Sequence, residues 1–231
     1  PSKGSVNGYT HFAIKASRDG VTRDARVICG DVYKNLAGQT GMNFGFGLSN
    51  TTMEGFTHFR NCEFKGEFPI AELSFSDPDS PFCVKLTAFN PFIPQNDRDS
   101  SIPATFFELL VRNNSYEALD ISIAATLKNP FGGSVNKYFD DKVKGILLGQ
   151  TNAQPDTPEW GELALATDGA DISYQENWYR GSWFDNLETY WRNFTEHERF
   201  NNRTYENPGN GDHATIAVHG KIKSRGWYRT R

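Results

Sequence analysis

The chain has 231 residues, of which 37% are hydrophobic and 14% aromatic, enough to bury the core of one all-β domain. Its formal net charge of −4 argues against nucleic acid or an anionic membrane as a partner, because both require a basic protein surface. No stretch of about 18 apolar residues is present, so the sequence predicts no transmembrane segment.

The three cysteines are Cys29, Cys62 and Cys83, an odd number with no spacing typical of metal ligands. We expect a reducing compartment, although one disulfide plus a free thiol is the alternative. Residues 1–8 lack the apolar run of a signal peptide, which together with the cysteines favours the cytoplasm. The sequence predicts no metal site and no cofactor.

The first half of the chain is patterned for strands joined by turns. Residues 11–16 and 22–29 form a hairpin around Arg18-Asp19-Gly20, and residues 59–75 carry two strands joined near 66–69. Further strands are predicted at 84–88, 107–111 and 119–125, with a polar loop at 95–101. Residues 41–48 interleave glycine with aromatic residues, which fits either a bulged strand or a packed loop.

Later strands are predicted at residues 143–148, 161–167, 170–174 and 212–218. Turn signals about every ten residues are typical of a β-sandwich. We therefore expect an all-β fold, a large two-sheet, supersandwich-like β-sandwich with one amphipathic aromatic helix. No repeat or low-complexity linker divides the chain, so residues 1–231 are predicted to form a single domain.

The one helix is predicted over residues 182–194. Ser182 followed by Asp185 resembles a capping box, in which the hydroxyl accepts a hydrogen bond from a free backbone N–H. Apolar side chains recur at spacings of three and four and therefore share one face, namely Trp183, Leu187, Tyr190, Trp191 and Phe194.

The approach to this helix is the candidate functional stretch. Aromatic residues at helical spacing usually pack inward, so the first interpretation is that they belong to the core. The alternative is that part of this stretch faces a sugar or a second domain, and the candidate residues are Trp178, Tyr179, Arg180, Trp183 and Asp185.

Catalytic motifs are absent from the sequence. There is no G-x-S-x-G motif and no phosphate-binding loop. His213 and His219 share a strand face without an obvious third ligand, so a solvated face is expected there and not a metal site. Glycoside hydrolysis needs two carboxylates, and the candidate pairs are Asp97 with Asp99, Asp140 with Asp141, and Asp185 with Glu188. Each of these acids is equally well explained by a loop, a turn or a first helical turn.

Several blocks resemble the N-terminal domain of glycoside hydrolase family 116, the family of non-lysosomal glucosylceramidases and β-glucosidases. They appear in the family's order at residues 64–69, 76–79, 88–94, 99–104, 107–113, 163–167, 177–185 and 190–194. Among them are Phe64-Lys65-Gly66-Glu67-Phe68-Pro69, Ala88-Phe89-Asn90-Pro91-Phe92-Ile93-Pro94 and Asn177-Trp178-Tyr179-Arg180-Gly181-Ser182-Trp183-Phe184-Asp185.

The resemblance implies a β-sandwich that precedes an (α/α)6 helical barrel. In that family the barrel holds a glutamate nucleophile and an aspartate acid/base that act by a retaining mechanism. No segment of this chain is patterned as that barrel, so no catalytic residue is assigned here. The implied partners are the catalytic barrel of the same polypeptide and a β-linked glucoside or related glycoside.

Residues 221–227 depart from the family at the point where it has a turn and a last strand. We therefore expect a missing edge strand, which would leave a sheet edge open to a partner or a second copy of the chain.

Three functions remain open at this stage. An accessory domain of a glycosidase should carry a contiguous exposed aromatic patch at one end. A stand-alone carbohydrate-binding sandwich should present a row of aromatic rings beside polar groups such as Arg180 and Asp185. A purely structural sandwich should hold every aromatic side chain in its core.

Overall fold

The computed structural model describes residues 9–30, 56–181 and 185–231. The strands of this part of the chain are β1 (His11–Arg18), β2 (Val21–Val27), β3 (Asn61–Glu67), β4 (Ile70–Ser76), β5 (Phe82–Phe89), β6 (Phe106–Asn113), β7 (Leu119–Lys128), β8 (Gly132–Asp140), β9 (Lys144–Gln150), β10 (Leu163–Thr167), β11 (Ile172–Gln175), β12 (Gly209–Asn210), β13 (His213–Ile222) and β14 (Trp227–Thr230). The helices described are α1 (Asp97–Ser100) and α2 (Asp185–Glu196).

The strands form three antiparallel sheets. The central sheet has the order β11-β13-β7-β1-β2, and its longest ladder pairs all ten residues of β13 with β7. The second sheet has the order β14-β6-β5-β4-β3, and the third has the order β10-β9-β8-β12. The all-β sandwich is therefore confirmed, with three sheets where two were expected.

The central sheet is covered on both faces. Leu119, Ile121 and Ile123 alternate along one face of β7 and pack against buried side chains of β4, β5 and β6. Leu127 lies on the same face and packs with Ile146 and other residues of the third sheet. The second and third sheets therefore share one face of the central sheet.

Helix α2 covers the opposite face. Tyr190 and Phe194 are buried against the small side chains Ala124 and Ala217 of the central sheet. Leu187 and Trp191 flank them and are partly buried. The predicted apolar face of the helix is confirmed over these four residues, although the helix begins at Asp185 and the predicted cap at Ser182 lies outside the described residues.

The predicted opening hairpin and the predicted strands of both halves of the chain are confirmed, with shifted ends. The polar loop at 95–101 contains the short helix α1, which Asn96 caps by accepting a hydrogen bond from the N–H of Asp99 at 3.1 Å. The alternatives for residues 41–48 concern residues that the structure does not describe.

The expectation of a missing edge strand is wrong. Residues 227–230 form β14, which pairs with β6 from Trp227 opposite Arg112 to Thr230 opposite Leu109. Tyr228 packs against the main core from this strand. β14 is therefore the edge strand of the second sheet on the β6 side.

We expect Phe82→Ala to lower the free energy of unfolding by about 3–5 kcal/mol, because the side chain is fully buried between the two larger sheets and leaves a cavity. Phe64→Ala is the matched control, since Phe64 is 68% exposed on β3. Urea unfolding of both variants measures the difference, and equal midpoints would contradict the described core.

Candidate functional site

The candidate stretch begins with Trp178, which is 3% exposed and belongs to the core. Its indole stacks on the ring of Tyr190 at 4.1 Å and on the imidazole of His213 at 4.7 Å. Its Nε1–H donates a hydrogen bond to Oγ1 of Thr215 at 2.7 Å. Every part of this side chain is engaged, so Trp178 joins helix α2 to β13 and offers no face to a ligand.

Buried histidines complete the Trp178 cluster. His11 contacts the hydroxyl of Tyr190 through Nε2 at 2.9 Å, and burial lowers the pKa of His11 to about 4. Burial likewise lowers the pKa of His213 to about 3, with the nearby Lys128 charge adding to the effect. The cluster is therefore neutral near pH 7.

His219 lies six residues beyond His213 on the same side of β13. Ser122 contacts its Nδ1 at 2.9 Å and Ser173 contacts its Nε2 at 2.8 Å, while burial lowers its pKa to about 4. The expectation of a solvated strand face is wrong for both histidines, because helix α2 and the segment after it cover this side of the sheet.

Arg180 is a structural clamp. Its Nε and Nη2 donate to the two carboxylate oxygens of Asp212 at 2.9 and 2.8 Å, and Nη1 donates to the carbonyl of Asn207 at 2.9 Å. The hydrogen bond to Asp212 raises the pKa of Arg180. Its guanidinium also lies 4.1 Å from the ring centre of Tyr205, within the range of a cation–π contact.

Asp212 is the buried member of this pair, with a side chain 6% exposed. Ser134 on β8 donates a second hydrogen bond to its Oδ2 at 2.8 Å. Gly209 on β12 lies against the pair, and a side chain at this position would meet both Asp212 and Arg180. The missing Cβ therefore allows the chain to approach the ion pair closely.

Buried amides hold the first residues of the stretch. Asn136 on β8 donates to the carbonyl of Glu176 at 2.9 Å and accepts from Asn129 at 2.9 Å. Glu176 in turn accepts from the backbone N–H of Tyr138 at 2.8 Å, and Asn177 donates to the carbonyl of Arg203 at 3.3 Å. The bonds of Asn136 and Tyr138 attach the approach to α2 to the third sheet. The bond of Asn177 attaches it to the segment after α2.

Tyr179 and Asp185 are the candidates that reach the surface. Tyr179 is 44% exposed, and the guanidinium of Arg203 lies 5.4 Å from its ring centre. Asp185 begins helix α2, and its carboxylate lies over Gly181 beside the Tyr179 ring. Trp183 lies outside the described residues. The structure thus brings Tyr179, Arg180 and Asp185 to one corner, which we call the Tyr179 corner.

One member of each candidate acid pair is engaged locally. The side-chain amide of Asn96 donates to the Asp99 carboxylate at 2.7 Å, and Asp140 accepts from the hydroxyl of Tyr138 at 3.3 Å. Glu188 forms an exposed ion pair with Arg192 at 3.6 Å, one turn along the helix.

A depression of about 410 Å³ runs along helix α2 beside Phe56 and contains two glutamates, Glu188 and Glu196. Eight residues of helix separate them, which is a rise of about 12 Å. Glycosidase acid pairs have carboxyl groups about 5–5.5 or about 6.5–9.5 Å apart, which is shorter than this backbone separation.

Within residues 9–30, 56–181 and 185–231, no three acidic, histidine or cysteine side chains are grouped as metal ligands. The same residues contain no helix with the length and apolar character needed to cross a bilayer.

The residues that organise the corner were missed by the sequence-based analysis. Asp212, Asn129 and Asn136 are separated from the candidate stretch by tens of residues, and only strand pairing brings them under it. A buried polar residue in a strand is a detectable signal only once the inward face of that strand is known.

We expect Arg180→Met to lower the free energy of unfolding by about 2–3 kcal/mol, because it leaves the buried Asp212 carboxylate without its counter-charge. Arg199→Met is the matched control and should cost less than about 1 kcal/mol, since its ion pair with Asp171 is exposed. Denaturant unfolding measures both variants. Similar losses of unfolding free energy in the two variants would contradict the structural role of the Arg180–Asp212 pair.

We also expect stability to fall as the pH decreases below about 6.5. His11, His213 and His219 stay neutral in the folded chain because their pKa values are lowered, whereas the unfolded chain binds these protons. The stability that the neutral histidines provide is fully present above pH 6.5. As the pH falls toward 4, the free energy of unfolding decreases by about 1.4 kcal/mol per pH unit for each proton that the unfolded chain binds.

Urea unfolding from about pH 7.5 to about pH 5 measures this slope. His219→Gln should reduce the slope by about one third, because one of the three titrating groups is removed and the amide can still bond both serines. An unchanged slope would contradict the assignment.

A protein-family match covers most of this chain. Residues 4–228 match the protein family described as beta-glucosidase 2, glycosyl-hydrolase family 116 N-term. A comparison with curated protein sequences gives no match.

Proposed function

This chain belongs to the family of N-terminal domains of glycoside hydrolase family 116, and from that premise we propose that it is the non-catalytic domain of a β-glucosidase- or glucosylceramidase-like hydrolase. In this role it supports the (α/α)6 barrel that carries the catalytic carboxylates and acts on a β-linked glucoside or related glycoside. The retaining reaction then takes place outside the residues described here.

The observation that carries this proposal is that an acid of each candidate pair is already engaged by another side chain. Asp99, Asp140 and Glu188 are engaged at the surface with side chains from their own segments, and Asp212 neutralises Arg180 inside the fold. A retaining site needs two carboxylates that face each other across a sugar. One member of each candidate pair is therefore already held by a neighbouring side chain.

The Tyr179 corner extends the proposal to the substrate entrance. Tyr179 offers an exposed ring, and Asp185 places a carboxylate beside it, whereas Trp178 and Arg180 fix the corner from below. A rigid aromatic and an acid are suited to contact a sugar ring at the rim of a neighbouring active site. Burial of Trp178 removes one ring from the row of aromatic rings expected of a stand-alone carbohydrate-binding module.

The compartment is part of the same proposal. Cys62 and Cys83 are free thiols, which supports a reducing compartment such as the cytoplasm.

We expect the 231-residue chain alone to hydrolyse none of a panel of chromogenic β-glycosides, and the full-length polypeptide that contains it to hydrolyse at least one. The panel assay measures both proteins at equal concentration. Turnover by the 231-residue chain would overturn the proposal, and Asp97, Asp99 and Asp185 would then be the first residues to substitute.

A further inference from the structure

A second surface feature lies outside the Tyr179 corner. Six large apolar side chains, each more than a third exposed, gather at one end of the second sheet. They come from the β3–β4 turn, from the facing ends of β4, β5 and β6, and from the β5–β6 connection. We call this the end patch, and its residues are Phe68, Ile70, Phe89, Phe92, Ile93 and Phe106.

Strand register aligns three residues of the end patch, and a ring contact joins two others. Ile70 lies opposite Phe89, and Phe89 lies opposite Phe106, so that the three side chains form one row on the outer face of the sheet. The rings of Phe89 and Phe106 stack at 5.5 Å. Phe68, which is 80% exposed, contacts Phe92 at 5.1 Å.

The loop part of the end patch is held in place by hydrogen bonds. The amide of Asn90 donates to the carbonyl of Ala104 at 2.5 Å, and the N–H of Ile93 donates to the hydroxyl of Ser100 at 2.9 Å. Ser100 donates back to the carbonyl of Ile93 at 3.1 Å. Because the surface is preorganised, a partner binds it at little cost in conformational entropy.

A polar rim bounds the end patch along the strands. The next outward-facing row contains Glu72, which pairs with Lys85 at 2.6 Å, and Glu108, which pairs with Arg231 at 3.1 Å. The exposed parts of the six side chains amount to about three whole side chains, on the order of 500 Å². This reaches the upper range for the largest apolar patch of a monomer and is more than half of the roughly 800 Å² that each partner buries in a standard interface.

We propose that the end patch is the surface on which this domain binds the helical catalytic domain of the same polypeptide, an inference that rests on the proposed function. Nε of Arg231 donates to Glu108, two residues along β6 from Phe106. The family match ends at residue 228 on β14, and this strand runs along β6 toward Phe106, so in the proposed arrangement the segment that leads to the catalytic domain passes the end patch. Linkage through this segment raises the effective concentration of the catalytic domain at this surface.

The end patch and the Tyr179 corner lie at the same end of the sandwich. Near the start of β1, Phe12 contacts Phe107 at 5.2 Å, next to Phe106 of the patch. On the other side of the strand, His11 contacts Tyr190 beneath the corner. The end patch and the corner therefore lie near the same end of β1, on opposite sides of the central sheet.

Oxidative footprinting of two proteins tests the inference, the 231-residue chain and the full-length polypeptide that contains it. We expect oxidation of Phe68 and Phe92 to fall by about half or more in the full-length protein, because the core of an interface excludes solvent. Trp227, which is 57% exposed at the far end of β6, is the internal reference and should be unchanged. Equal oxidation of the two phenylalanines in both proteins would overturn the assignment.

Two other occupants of the end patch would give distinct oxidation footprints. Protection that appears in the 231-residue chain and increases with its concentration would identify a second copy as the occupant. Protection in the 231-residue chain at every concentration would mean that the same chain covers the patch. Either result overturns the proposal.

Substitutions in the end patch provide an independent test. In the full-length protein, Phe89→Ser with Phe106→Ser should split one coupled thermal transition into two, whereas Trp227→Ser should leave it coupled. Phe92→Ser in the loop repeats the test without altering a strand, and the same variants of the 231-residue chain check that the domain itself still folds. A coupled transition in a folded patch variant would overturn the assignment.

The glycoside assay separates this inference from the proposed function. If the full-length protein hydrolyses a glycoside and the 231-residue chain does not, an unprotected end patch contradicts the surface assignment alone. If the 231-residue chain hydrolyses glycosides, the proposed function fails whatever the footprint shows.

Discussion

The structure depends on burying both faces of the central sheet. In β13, Ile216 and Ile222 face the other sheets, and Ala217 faces helix α2, so nearly every residue of the strand is covered. A sheet with two apolar faces is stable in water only when a layer lies on each side. The second and third sheets supply one layer and helix α2 supplies the other.

The two covered faces differ in chemistry. The face toward the second sheet is aliphatic and phenylalanine-rich, whereas the face toward α2 combines small residues, histidines and a tryptophan. Aromatic rings stacked at 4–5 Å give this second layer its rigidity, and hydrogen bonds from Trp178 and Tyr190 satisfy their polar atoms. The same neutral histidines that pack well at pH 7 oppose folding in acid, because each must then exclude a proton that the unfolded chain accepts.

The elements that were predictable from the sequence are those whose inward residues are apolar. β1, β5, β6 and β7 alternate hydrophobic and polar residues, and helix α2 repeats aromatics with a helical period. β8 was not predictable in this way, because its inward residues include Ser134 and Asn136, which bond to loops and not to an apolar core. β14 is short, and pairing with β6 specifies it more than its own pattern does.

The candidate site was predictable only in part, for a related reason. The cluster of Trp178, Tyr179, Arg180 and Asp185 is visible in the sequence, but whether Trp178 and Arg180 point inward depends on Thr215 and Asp212, which lie far along the chain. Burial separates Trp178 from Tyr179, although they are neighbours in the chain. Composition gives a similarly incomplete picture of the phenylalanines, since Phe82 fills the core and Phe89 lies on the surface of the same strand. Because strand side chains alternate, Phe82 and Phe89 point to opposite faces of the second sheet, and the central sheet covers only the face on which Phe82 lies.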